Sequence, residues 1–284
     1  MVLSSKRISR SNGGTVSIVV FLAMVGVLMM VPLVYALLQS IKPMEEIFVF
    51  PPRFWVNRPT LQNYRNLLNF TSDLWVPASR YVLNSVFLSV VCTVIQVVIA
   101  SMAAYSLSKL QWRGRDAFFH IIVLSLLFTG DVVALPQYLM ISQMRIIDTF
   151  WAMILPSAAY TMGLYLMRQN MLLLPDSLLE AARIDGAPER TIFWSVVMPN
   201  VKPTWLTMVV FAFGGLWNRS DTTYIYSEDL KSLPTLLSQI SSGGIARAGV
   251  SAAAAVLMMI PPILIFIVTQ SNVIETMANS GMKE

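Results

Sequence analysis

Glu180, Arg183 and Asp185 stand around Ala181 and Ala182, offering directed hydrogen bonds from a surface thin enough for another protein to come close. The chemistry of such a set is recognition rather than bond-making. Pro175 stops the preceding helix, and Ser177 with Glu180 three residues on reads as a capping box that starts a new one. Leu178, Leu179, Ala182 and Ile184 give this helix an apolar stripe. Gly186 supplies a left-handed stop without Cβ strain. Pro188 suits the first position of a second helix, with Glu189 near its positive end. That helix carries Ile192, Phe193, Val196 and Val197, and Pro199 is expected to end it. On residue chemistry alone, a docking knob and a solvated loop with well-formed caps both fit.

Elsewhere the chain lacks the residues that catalysis would need. It has no glycine-rich phosphate loop of the Walker type and no Ser/His/Asp set. A single cysteine, Cys92, and a single histidine, His120, rule out a disulfide framework and a His/Cys metal cluster. The net charge of +5 comes from basic residues scattered around loops, which argues against a nucleic-acid partner.

The elements that must position the hairpin are apolar. Hydrophobic residues make up 56% of the chain and charged residues 12%, about half the charged share of a soluble domain. Ser11–Ile41, Tyr81–Ser108, Thr149–Met167 and Ala248–Ile274 carry no charge, and each exceeds or approaches the roughly 20 residues that cross a bilayer. With two weaker segments, the pattern predicts six spans, at about 15–39, 81–109, 117–141, 150–171, 203–218 and 249–271. The hairpin occupies 175–200, and five spans remain if 203–218 is re-entrant. The first run is too long for a signal peptide and lacks a cleavage pattern, so it reads as a retained helix. Lys6, Arg7, Arg10, Arg113 and Arg115 put the N-terminus, the hairpin and the C-terminal tail in the cytoplasm. The outer 40–80 segment, rich in Pro and aromatics including Trp75, is expected to form an ordered cap with a short helix near Leu61–Asn69.

Glu180-Ala181-Ala182, then Gly186 after three intervening residues, then Val196-Val197-Met198-Pro199 after nine more, resemble the EAA loop of permease subunits in binding-protein-dependent ABC importers. The Ala182–Ala187 stretch is similar to the carbohydrate, maltose-permease-like branch. The likeness extends along the chain through Asn84-Ser85, Leu135-Pro136-Gln137-Tyr138, Trp217-Asn218 and Gly281-Met282-Lys283. Arg219-Ser220-Asp221, and the Glu284 ending, depart from it.

The resemblance implies an all-α membrane protein with six transmembrane helices and a cytoplasmic helix–turn–helix coupling loop. It implies a non-catalytic subunit in a bacterial or archaeal plasma membrane, with no cofactor of its own and ATP and Mg on a partner ATPase. The implied partners are a second homologous permease, two copies of the ATP-binding subunit, an extracytoplasmic solute-binding protein, a sugar or oligosaccharide, and membrane lipid. Glu180, Ala181, Ala182, Arg183, Asp185, Gly186, Ala187 and Pro199 would dock the ATPase. Polar groups within the spans are costly and so become candidates for a solute pathway: Asn84, Gln96, Tyr105, Asp131, Gln137, Tyr138, Trp217 and Asn218. Two alternatives stand beside this reading. One is an ABC permease for another solute such as amino acids or peptides. The other is an ion-coupled secondary transporter using Asp131 and Asp148.

Overall fold

A computed structural model describes residues 12–72, 76–128, 130–220, 222–244 and 247–281, with the side chains of 12, 13, 15, 70–72, 131 and 271–281 left aside. Lys6, Arg7, Arg10, Trp75, Asp221, Met282, Lys283 and Glu284 lie outside the described residues, as does the Asp131 side chain.

Every regular element described is helical. In chain order these are α1 (Asn12–Ser40), α2 (Met44–Ile47), α3 (Gln62–Ser72), α4 (Ala78–Lys109), α5 (Arg115–Ser125), α6 (Gly130–Gln143), α7 (Trp151–Ser157) and α8 (Thr161–Leu172). The hairpin follows as α9 (Asp176–Ile184), α10 (Glu189–Thr191), a π-helical stretch at Ile192–Val197 and α11 (Met198–Asn200). Then come α12 (Lys202–Trp217), a 3₁₀ turn at Glu228–Leu230, α13 (Leu233–Ser241) and α14 (Ala248–Gly281).

Among the described residues, three stretches are long and apolar enough to span a membrane as single helices: Val16–Ser40, Ala78–Lys109 and Ala248–Gln270, with mean hydropathies of 2.7, 2.4 and 2.4. The remaining predicted spans take other forms. Residues 117–141 divide between α5 and α6, and 150–171 between α7 and α8. α12 is one helix of 16 residues, about 24 Å long, and meets the hairpin's last helix at an 81° bend.

The chain forms two compact units. One contains residues 1–69 and 243–257. Here the segment after α1 folds back on the helix end. The buried Asn63 amide donates to the carbonyls of Ser40 (2.9 Å) and Lys42 (2.7 Å). The Tyr64 hydroxyl reaches Ser40 Oγ at 2.9 Å, and Glu46 accepts the backbone N–H groups of Asn57 and Arg58. Buried Lys42 donates to the Arg53 carbonyl. This is the ordered cap expected from composition, with its helix at Gln62–Ser72.

The second unit contains residues 70–242 and 258–284. Its central helix is α4, packed against α5, α7, α8, α12 and α13. Ser85, Ser89, Cys92, Ala100 and Ala104 line its buried face, and small side chains let neighbouring helices approach where dispersion replaces the hydrophobic drive. α8 meets α12 as closely: a Cβ on Gly163 would strike the Tyr160 ring and Met208 Cε.

Candidate functional site

The hairpin is rooted in the second unit by apolar burial. Leu179, Ile192, Phe193, Val197, Met198 and Val201 join one cluster with Val97, Ala100, Ala104 and Tyr105 of α4, Met167 and Met171 of α8, and Met208 of α12. Its tip is bare. Ile184 is 86% exposed, Leu178 and Trp194 are exposed, and so are Glu180, Ala181, Arg183 and Asp185. An apolar side chain projecting from a charged tip is what a protein partner's pocket takes up. Beside α9 a polar recess of about 180 Å³ opens between Ser108, Lys109, Arg115, Asp176, Glu180 and Arg183.

The turn is made by Gly186 at φ +79. Its N–H bonds the Arg183 carbonyl, and the Ala187 N–H bonds the Ala182 carbonyl, both at 3.0 Å, the paired bonds of a Schellman ending. A Cβ here would meet nothing within 4 Å, so backbone conformation alone demands glycine. Three expectations need correction. α9 starts at Asp176, with extended Pro175 as its N-cap and no side-chain cap bond, so Ser177 does not head a capping box. Pro188 is an N-cap rather than a first helical residue. Pro199 lies inside α11, and the break comes at Val201 (φ −101, ψ 19). A proline ring clashes with the carbonyl four residues back, here that of Ser195, and the π-helical turns just before Pro199 open the helix there. The Trp205 indole donates across the bend to the Met198 carbonyl at 3.2 Å.

Charged groups tie the hairpin to α4. Tyr105 donates to Glu189 Oε2 at 2.5 Å. Glu189 Oε1 accepts from Arg183 Nε at 2.9 Å, joining the two arms. Buried Lys109 donates to the Leu174 carbonyl (2.6 Å) and Asp176 Oδ1 (2.7 Å). The Tyr105 hydroxyl first, then Arg183, hold the Glu189 carboxyl below its ordinary range. Lys109 does the same for Asp176. Ala182 and Ala187 are half-buried against the hairpin's own root, so the close approach they permit is internal; Ala181 is the exposed alanine. Lys109 and Asp176 were not singled out from sequence, and Glu189 only for its place near a helix N-terminus. Partners 65 to 84 residues apart leave no periodic signal.

The pathway candidates do not gather in one place. Tyr105 is at the hairpin end of α4. Asn84 is 21 residues away, about 32 Å along the helix, and its amide donates to the carbonyls of Asp229 and Lys231. Trp217 and Ser85 line a mainly apolar cavity of about 20 Å³ with Ser89, Cys92 and Arg219. That is room for about one water and far too little for a sugar ring. The Trp217 indole donates to the Met258 carbonyl at 3.0 Å. That carbonyl would normally bond the N–H four residues on, at Pro262, which has none. Asn218 is exposed and bonds the Gly214 carbonyl. Tyr138 stacks on Tyr224 at 6.4 Å, and buried Gln137 Nε2 and Gln96 Oε1 have no hydrogen-bond partner among the described residues.

Asp148, at φ +60, accepts the N–H groups of Tyr226 and Ser227 at 2.9 Å and the Ser227 hydroxyl. The Ser227 hydroxyl and these N–H groups hold its carboxyl below the usual range. A carboxylate kept ionised in this way staples a loop and is a poor proton carrier.

The family described as binding-protein-dependent transport system inner membrane component matches residues 5–278. The chain belongs to this family. The permease is 30% identical to protein LplC of Bacillus subtilis over 221 residues, 76% of this chain and 71% of that protein. It is 26% identical to the arabinooligosaccharides transport system permease protein AraQ of Halalkalibacterium halodurans, covering 89% of this chain and 90% of that one. It is 29% identical to the polygalacturonan/rhamnogalacturonan transport system permease protein YtcP of Bacillus subtilis, over 78% and 75% of the two chains. Its fold matches a chain in the crystal structure of a bacterial ABC transporter involved in the import of the acidic polysaccharide alginate. The TM-score is 0.76 at 22% identity, covering 92% of the permease and 98% of that chain.

Proposed function

We propose that the permease forms half of the translocation pathway of an ATP-driven importer for a sugar or oligosaccharide, and that its hairpin docks a separate ATPase. The observation that carries this is the contrast within the hairpin: a root buried among three helices and a tip that leaves Ile184 86% exposed. The oligosaccharide and polysaccharide transporters among its relatives support the solute class.

In this reading the chain sits in the plasma membrane as a multi-pass subunit, with hairpin and both termini in the cytoplasm. A second homologous permease completes the pathway. Two copies of the ATPase bind ATP and Mg, and an extracytoplasmic binding protein delivers the sugar. ATP and loaded binding protein together shift the populations of inward- and outward-open states.

The test is capture of the ATPase. A photocrosslinker at Ala181 should trap an ATP-hydrolysing subunit. Ile184→Asp and Gly186→Val should leave the permease in the membrane but release that subunit, the second by forcing a β-branched residue to positive φ at a cost of about 1–2 kcal/mol. Full ATPase retention and transport in both variants would defeat the proposal.

A further inference from the structure

α8 runs into the hairpin and α12 runs out of it, so motion of the hairpin reaches both through the chain itself. α4 has no such covalent link, although it is the helix around which the second unit packs. Besides apolar packing, its polar hold on the hairpin comes from side chains on successive turns, Lys109 to the first arm and Tyr105 to the second. The two grips differ in kind. Asp176 stands in water and Lys109 also takes the Leu174 carbonyl, so that pair closes off a loop end. Tyr105 is only 5% exposed and its ring lies 5.4 Å from that of Phe193. Its hydroxyl meets one oxygen of Glu189, whose other oxygen holds Arg183 across the turn. One carboxylate therefore joins α4, the first arm and the second arm.

We propose that Tyr105, Glu189 and Arg183 form the pin that transmits hairpin motion to α4, which makes Tyr105 a positioning residue of the coupling mechanism. The proposal rests on the hairpin being the ATPase-docking element, and adds the route by which its movement enters the bundle. The geometry suits the task. A charge-assisted hydrogen bond is short and directional, and a tyrosine packed against Phe193 presents its hydroxyl in one orientation. The Tyr105 hydroxyl proton, given to Glu189, is then not offered to a solute.

The experiment uses the complete reconstituted importer, meaning the permease with its partner permease, ATPase and binding protein. It measures ATPase retention, stimulated ATP hydrolysis, and solute carried per ATP. Tyr105→Phe keeps the ring and removes the bond. Glu189→Gln, on a half-exposed side chain, tests the same bond without touching the core. Each should keep the ATPase bound and lower solute carried per ATP about tenfold, the factor a hydrogen bond to a charged group represents. The double variant should fall no further than Glu189→Gln alone, because Tyr105→Phe acts only through the bond to Glu189. Arg183→Lys should lose less than Arg183→Met.

Wild-type coupling in both single variants, with the ATPase in place, overturns the pin and leaves docking intact. Effects that multiply in the double variant overturn it too. Loss of the ATPase from Tyr105→Phe would show that the residue shapes the docking surface rather than transmitting motion. An unmodified permease that never binds an ATPase overturns the hairpin reading beneath it.

Discussion

A tyrosine–glutamate pair holds each end of α4, Tyr105 with Glu189 at the hairpin and Tyr81 with Glu228 at the far end, yet the two ends are built differently. At the far end most of the grip is on backbone. Asn84 donates to the carbonyls of Asp229 (2.8 Å) and Lys231 (3.0 Å), Ser85 Oγ accepts the Leu233 N–H at 2.7 Å, and Arg80 reaches the Asp229 carbonyl. At the hairpin end the side chains of Glu189 and Asp176 are gripped beside a single carbonyl, that of Leu174, and the apolar root supplies the rest. Backbone bonds fix the path of a loop atom by atom, so the 228–233 segment is an extension of α4. Side-chain ties join two bodies that keep their own shapes. The far end is therefore built to hold a loop in place, and the hairpin end to pass on a movement.

Replacing Asn84 with Leu should break the far end most severely. It strands two loop carbonyls at a combined cost of about 2–6 kcal/mol. The expected outcome is a lower melting temperature in detergent and new protease cleavage around 227–231, with ATPase binding unchanged. If Asn84→Leu also released the ATPase, the two ends would not be separate devices. Trp217→Phe keeps the ring that stacks on Phe213 at 5.6 Å but removes the donor to Met258, costing about 1–3 kcal/mol. Its drop in melting temperature should add to that of Tyr105→Phe, since distant sites are independent.

The smallest effect is expected from pH. Both Glu189 and Asp148 have carboxyls held below their ordinary range. Each contribution is complete above the unfolded pKa and is lost only as pH falls through the depressed value. ATP-driven uptake should therefore stay flat from about pH 8 to about pH 5, and dissipating the proton gradient should leave it unchanged. An inflection near neutrality that Asp148→Asn abolished would instead favour an ion-coupled carrier.

What could be read from sequence follows from how far apart the determining residues lie. Gly186, needed for a positive φ, is a local signal and the turn appears where it places it, whereas of the expected stripe only Leu179 and Ala182 turn inward and Leu178 and Ile184 stand exposed. α4 and α14 are uninterrupted apolar runs that became single helices. The 117–141 segment, weaker and interrupted by Asp131, and the 150–171 segment, which takes in Arg168, each divide in two, because hydropathy records solubility in lipid and not the path of the backbone. Pro175 displaced the expected capping box for a local reason that was open to view: it can itself be the extended residue before the helix. The Tyr105–Glu189 and Asn84–Lys231 ties join residues far apart in the chain and could be found only in three dimensions. Tyr105, taken with Asn84 as a pathway candidate, stands about 32 Å from it.

The bond from Trp217 to Met258 limits how α12 and α14 can rearrange. A carbonyl freed by Pro262 and left bare in hydrocarbon costs several kcal/mol, and the indole covers it from one fixed height on α12. Twisting or tilting about that contact keeps the carbonyl covered, whereas sliding by a whole turn uncovers it. Gating motions in this half of the molecule should thus be swivels about Trp217, not strokes along the helix axis.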